Sequence, residues 1–168
     1  MRVVDCGARP DVRITMRAKT APRIAWAEWL PTVRTWTHCL HLTCRRSDER
    51  RQVEKAARAC LNRINRIAYG CRAWRAPARR GIRWVLFLEH NSAESWHAHV
   101  LLDGLPAGRE WAILREVADW WHERYGFCRP QRIRDLRRLC LYLCKQVTPE
   151  NTPQIGPGFL SMRDESPP

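Results

Sequence analysis

Several things are missing from this sequence, and each absence narrows its class. Nowhere in the 168 residues do about eighteen apolar residues run together, so no membrane-spanning helix and no membrane partner are expected. The opening stretch MRVVDCGARPDVR lacks the pattern of a signal peptide, which makes a cytoplasmic location the expectation. None of the eight cysteines forms a C-x-x-C pair, and most stand singly within apolar segments. A disulfide scaffold or zinc ribbon is therefore not expected, and each cysteine reads as a small buried hydrophobe. Internal repeats are absent. Lysine is almost absent too: only Lys19, Lys55 and Lys145 occur among thirty basic residues.

What is present is arginine, tryptophan and an uneven charge. Thirty Lys+Arg against seventeen Asp+Glu give a net charge of +13, which points to a polyanionic partner such as nucleic acid. The excess lies mainly in residues 35–70 and 127–146, whereas 104–126 and the C-terminal 147–168 are near neutral or acidic. One particular face should therefore meet the anion. With 45 % hydrophobic residues and nine tryptophans, a chain of this length can build one packed domain.

Residues 1–34 are Arg-rich without a sustained period and read as a basic N-terminal arm or extension. Residues 149–168 are proline-rich and read as a flexible tail, leaving 35–148 as the organised domain. Within it, 35–44 (TWTHCLHLTC) reads as a strand. Ser47, Asp48 and Glu49 supply capping chemistry for a helix that Gly70 stops near Tyr69, with an apolar stripe of Val53, Ala56, Ala57, Cys60, Leu61, Ile64, Ile67 and Ala68. RWVLFLE (83–89) and WHAHVLL (96–102) form a hairpin around HNSAES. A helix then runs to Tyr125 and ends at Gly126, 127–133 is a short basic edge strand, and 134–147 is helical. The order β-α-β-β-α-β-α predicts an α+β, ferredoxin-like, four-stranded antiparallel sheet with helices on one face. On the helix before Gly126, Trp111, Leu114, Ala118, Trp121 and Tyr125 read as the core stripe. Ile113, Val117 and Trp120 would leave an apolar patch for Trp26, Trp29 and Leu30, or for a second subunit, to cover.

The chemistry concentrates in two places. His97 and His99 alternate along a strand, so both imidazoles project from one surface as half of a divalent-metal site. Glu89 ends the preceding strand and reaches that surface if the connecting loop has an odd residue count. His90 competes as a third ligand, while His38, His41 and His122 read as structural. Tyr142 lies beside the apolar stripe of the last helix with Lys145 and Gln146 on the same flank. Tyrosine can carry a covalent phosphoryl intermediate when its oxygen is steered and its charge compensated, and a rare lysine one turn away is suited to that.

Together these segments resemble the HUH endonucleases. WHAHVLLDG is similar to that family's His-hydrophobe-His motif, LHLTC (40–44) to its first strand motif, and Tyr142 through Lys145 to its Tyr-x-x-Lys motif. The three stand in the family's order over roughly residues 35–148, and the nearest branch is that of rolling-circle replication initiators of plasmids and small phages. The resemblance implies a metal-dependent single-strand DNA nickase in which Glu89, His97 and His99 hold Mg²⁺ or Mn²⁺. Tyr142 would form a 5′-phosphotyrosine link and Lys145 would position the phosphate. Arg129, Arg132, Arg134, Arg137 and Arg138 would neutralise DNA backbone. The partner would be single-stranded DNA or an origin hairpin; no helicase segment is present, so unwinding would fall to a separate helicase. Many relatives carry a second tyrosine where Gln146 stands, which implies a single-tyrosine enzyme. In single-strand transposases a glutamine at that place is a metal ligand, so a transposase or mobilisation relaxase is an alternative. A non-catalytic basic nucleic-acid-binding module is a further one, although it gives no reason for Glu89, His97, His99 and Tyr142 to coincide.

Overall fold

The computed structural model describes residues 21–45, 49–72, 81–91 and 95–156. Its elements run α1 (Ala21–Val33), β1 (His38–Thr43), α2 (Arg50–Tyr69), β2 (Arg83–His90), β3 (Trp96–Asp103), α3 (Glu110–Arg124), β4 (Cys128–Arg132) and α4 (Leu136–Leu143). A 3-10 turn at Cys144–Gln146 and a two-residue strand, β5 (Gln154–Ile155), follow. The capping residues Ser47 and Asp48, and most of the hairpin turn, lie outside the described residues.

The strands form one antiparallel sheet in the order β4-β1-β3-β2-β5. Its four long members reproduce the expected ferredoxin-like order, since a split β-α-β places β3 between β1 and β2. The fifth strand comes from the segment expected to be a flexible tail. It pairs Val85 with Ile155 and Leu86 with Gln154, covering an edge that β2 would otherwise present unpaired. Gly156 permits this, because a Cβ there would lie 2.5 Å from the Trp84 ring.

Helices cover both faces, not one. On the first face, Leu40, Leu42, Leu86, Leu88, Ala98, Val100 and Leu102 pack against α2 and α3. The expected α2 stripe from Val53 to Ile64 is buried as the 3.6-residue period requires, and Gly70 ends the helix in a left-handed conformation (φ 71°). Asn65 joins that stripe although it is polar: its Oδ1 accepts from the Ile82 amide at 3.0 Å and pins the approach to β2. On the second face, Cys39, Val85, Phe87 and Leu101 pack against Trp26, Ala27 and Leu30 of α1 and Cys140 and Leu143 of α4. Part of the expected N-terminal arm is thus a docked helix. The run WVLFLE in β2 carries the sign of this double cover, since it is buried at every position and does not alternate.

The expected stripe of α3 is widened rather than replaced: Leu114 and Trp121 are core, Ala118 and Tyr125 pack against it, and Trp111 falls outside. Ile113, Leu114, Val117 and Trp121 are the buried residues, and they close the first core. The apolar patch is therefore covered by α2 and the sheet. Trp26 and Leu30 belong to the other face, and Trp111 is 47 % exposed. Trp121 donates from Nε1 to the Thr43 carbonyl at 2.9 Å, which ties α3 to the end of β1. The chain then turns so tightly past β1 that a Cβ at Gly126 would fall 2.4 Å from that same Thr43 oxygen. All seven described cysteines are free thiols, and burial pushes those of Cys39, Cys128, Cys140 and Cys144 up to about 12.

Candidate metal centre

Strand register assembles the site. β2 and β3 pair so that Glu89 stands directly opposite His97, with seven residues between them, which satisfies the odd-count condition. His99, two residues on, shares their face. The neighbouring strand adds a member that the sequence reading assigned to structure: His41 stands directly opposite His99. Its ring stacks on His99 with centroids 4.6 Å apart and lies 5.2 Å from the His97 ring. Two cross-strand pairs on three adjacent strands therefore place four chemistry-bearing side chains on one patch. A sign of His41 was present in the sequence, because LHLTC alternates just as WHAHVLL does. Only the β1–β3 register could show that the two alternations meet.

One nitrogen from each of His41, His97 and His99 lies within 4.8 Å of the others, so the three rings can converge on a metal ion. Burial, together with the neighbouring His99 and His97, lowers the protonation of His41 to about 4. His97 is lowered likewise, by burial first and then by His99. Neutral imidazoles with available lone pairs are the state a metal requires. The donor set also contains an orphaned polar atom: His97 Nδ1 is buried and makes no hydrogen bond. Buried polar atoms without partners cost about 1–3 kcal/mol each, which a ligated cation would offset.

Glu89 adjoins the imidazoles on one side and a cation on the other. Its Oε2 is 3.2 Å from His99 Nε2 and 3.4 Å from His97 Nε2, while Oε1 accepts from Lys145 Nζ. Ligand atoms sharing one ion at roughly 2.1 Å stand about 3.0–3.4 Å apart, so Glu89 can join the set without moving far. Burial raises the Glu89 carboxyl, but His99, Lys145 and His97 outweigh it and hold the group at about 2. Burial opposes the charge on Lys145, yet Glu89 and Tyr142 overcome this and raise its ammonium above the ordinary value.

The Tyr142 helix starts where Asp135 accepts from the Arg138 amide at 3.0 Å, a side-chain cap at the N-terminus of α4. Cys140 and Leu143 anchor the helix in the second core, leaving Tyr142 48 % exposed. Its ring meets the His99 ring edge-on at 5.8 Å, and Lys145 Nζ sits 4.1 Å from its centroid. Tyr142 thus borders both the His99 imidazole and the Lys145 ammonium, and Glu89 links those two.

Other expected residues lie elsewhere. His90 is exposed and packs on Trp96 at 5.0 Å, away from the cluster, because it is one residue out of phase with Glu89. Gln146 spends both amide atoms on the His90 main chain, donating to its carbonyl at 2.7 Å and accepting from its N–H at 2.9 Å. It therefore latches the 3-10 turn to the end of β2 and does not point at the imidazoles. His38 is buried with Nδ1 2.9 Å from Thr37 Oγ1, and His122 is exposed on α3. Arg129, Arg132, Arg134 and Arg138 line one groove with Tyr142, whereas Arg137 is exposed outside that lining.

Among the described residues no helix is long and apolar enough to cross a membrane. No family model matches this chain, and no significant match was found among curated proteins or solved structures.

Proposed function

We propose that this chain is a metal-dependent, single-tyrosine, sequence-specific single-strand DNA endonuclease and strand transferase of the HUH type, acting to initiate rolling-circle replication. The observation that carries the reading is the convergence of Tyr142, Lys145, Glu89 and three imidazoles on one patch, built from five separate elements. Fold stability alone gives no reason to gather five buried or half-buried polar groups there, at the cost that burial of polar atoms carries.

His41, His97 and His99, with Glu89, would hold the cation, which when bound would polarise the scissile phosphate. An imidazole-rich set suits Mn²⁺ better than Mg²⁺, whose preference is for oxygen ligands. The Tyr142 oxygen attacks phosphorus, forming a 5′-phosphotyrosine bond as the bond to the 3′ oxygen breaks. The phenol proton is lost to water, and the departing 3′ oxygen takes a proton to leave as a hydroxyl. Lys145, fixed by Glu89 and lying over the phenol ring, compensates the developing charge at the nucleophile. Attack by a 3′-hydroxyl on the phosphotyrosine reverses the step and rejoins strands. The exposed arginines of β4 and α4 neutralise the DNA backbone, so binding weakens as salt rises. Gln146, which kept a transposase-like ligand set in view, is engaged with main chain and does not favour that alternative. Strand opening would fall to a separate helicase.

Incubation with varied single-stranded oligonucleotides and Mn²⁺, resolved on a denaturing gel, tests the reading. A covalent protein–DNA band that disappears in Tyr142→Phe and with a chelator is expected. No adduct on any oligonucleotide, with binding intact, would leave a non-catalytic DNA-binding module.

A further inference from the structure

Beside the metal patch, a groove of about 710 Å³ runs along β4 and the start of α4. Arg129, Arg132, Arg134 and Arg138 line it together with Tyr142, and Trp111 of α3 also contributes to its wall. The four arginines are exposed, and none takes part in a salt bridge with any described residue. The one carboxylate in the lining, Asp135, is occupied as the helix cap of α4. Trp111 is unusual among the described tryptophans. It is the only one among the exposed large hydrophobic residues, at 47 % exposure, and it packs edge-on against His38 at 5.3 Å. That contact supports the indole from one side, while nearly half of the residue stays open to solvent.

We infer that this groove receives an unpaired nucleotide flanking the scissile phosphate, with its base stacked on Trp111 and its phosphates on the four arginines. The inference rests on the single-strand DNA reading above and extends it with a base-binding platform on a different element. An aromatic face combined with unpaired cations is the pairing by which proteins hold single strands, because every base offers a π-face and every linkage a charge. Trp111 is thereby a positioning and affinity residue for the strand, separate from the groups that would break the phosphodiester.

The test uses the full chain in a chelating buffer, so that no cleavage step intervenes, and a fluorescent single-stranded oligothymidylate carrying one 5-bromodeoxyuridine. Trp111→Ala should weaken binding by roughly tenfold, as loss of one base stack does, with Trp111→Phe recovering most of it and Trp111→Leu little. Photocrosslinking should label the tryptic peptide of residues 110–115. Equal affinity of all three variants with wild type, or a crosslink confined to other peptides, would overturn the inference. Trp111→Leu keeps His38 covered, so a general loss of folding is separated from loss of stacking by its melting temperature. Should the stacking signature appear while no covalent adduct ever forms, the nicking reading falls and the nucleotide groove stands.

Discussion

The two faces of this sheet are made by the same strands and do different work. Toward α2 and α3, residues 40, 42, 86, 88, 98, 100 and 102 are apolar without interruption and form a dry core. Toward α1 and α4 the alternate residues change character along the strands: Cys39, Val85, Phe87 and Leu101 are core, whereas His41, Glu89, His97 and His99 are not. Period-two alternation thus lets one face carry stability while half of the other is released for polar chemistry. The first core can afford this because α2 and α3 both close upon it. The second is smaller and adjoins a patch whose polar groups satisfy one another only in part, with His97 Nδ1 lacking a partner.

This division can be broken deliberately. Leu86→Ala, on the dry face, should cost about 2–5 kcal/mol of stability, read by chemical denaturation, while metal affinity measured well below the melting temperature stays near wild type. A matching loss of metal affinity would show that the faces are not separable. The reverse substitutions, His97→Ala and His99→Ala, should reduce Mn²⁺ affinity by roughly a hundredfold or more in calorimetry, since loss of an outer partner alone costs 10–100-fold. His41→Ala belongs to the same group, and unchanged Mn²⁺ binding in that variant would remove it from the ligand set. The smallest effect concerns Gln146→Ala: loss of its two bonds to the His90 main chain should cost about 1–2 kcal/mol, with Mn²⁺ affinity within twofold of wild type. A large affinity loss there would restore Gln146 as a ligand.

Much of this was legible in the sequence, for identifiable reasons. Alternation in WHAHVLL and the odd spacing from Glu89 to His97 define a shared face locally, so that pairing could be read from residues near each other in the chain. The α2 stripe was legible because eight apolar positions keep one helical period. His41 was not, because its role depends on the long-range register of β1 against β3. The burial of α3 was hidden for a related reason: it offers two competing apolar stripes, and burial takes Leu114 and Trp121 from one and Ile113 and Val117 from the other, leaving Trp111 out. Helix α1 and strand β5 were missed because short segments with proline carry little periodic signal, and tertiary packing supplies what local propensity does not.

The central claim is that Tyr142 is the group that becomes joined to DNA. The chain has three tyrosines, Tyr69, Tyr125 and Tyr142, so the site of attachment can be read directly. After nuclease trimming and trypsin, tandem mass spectrometry of the Mn²⁺-dependent adduct should place the residual nucleotide on the peptide of residues 139–145, at Tyr142. A nucleotide on Tyr69, on Tyr125 or on any other side chain would contradict the account.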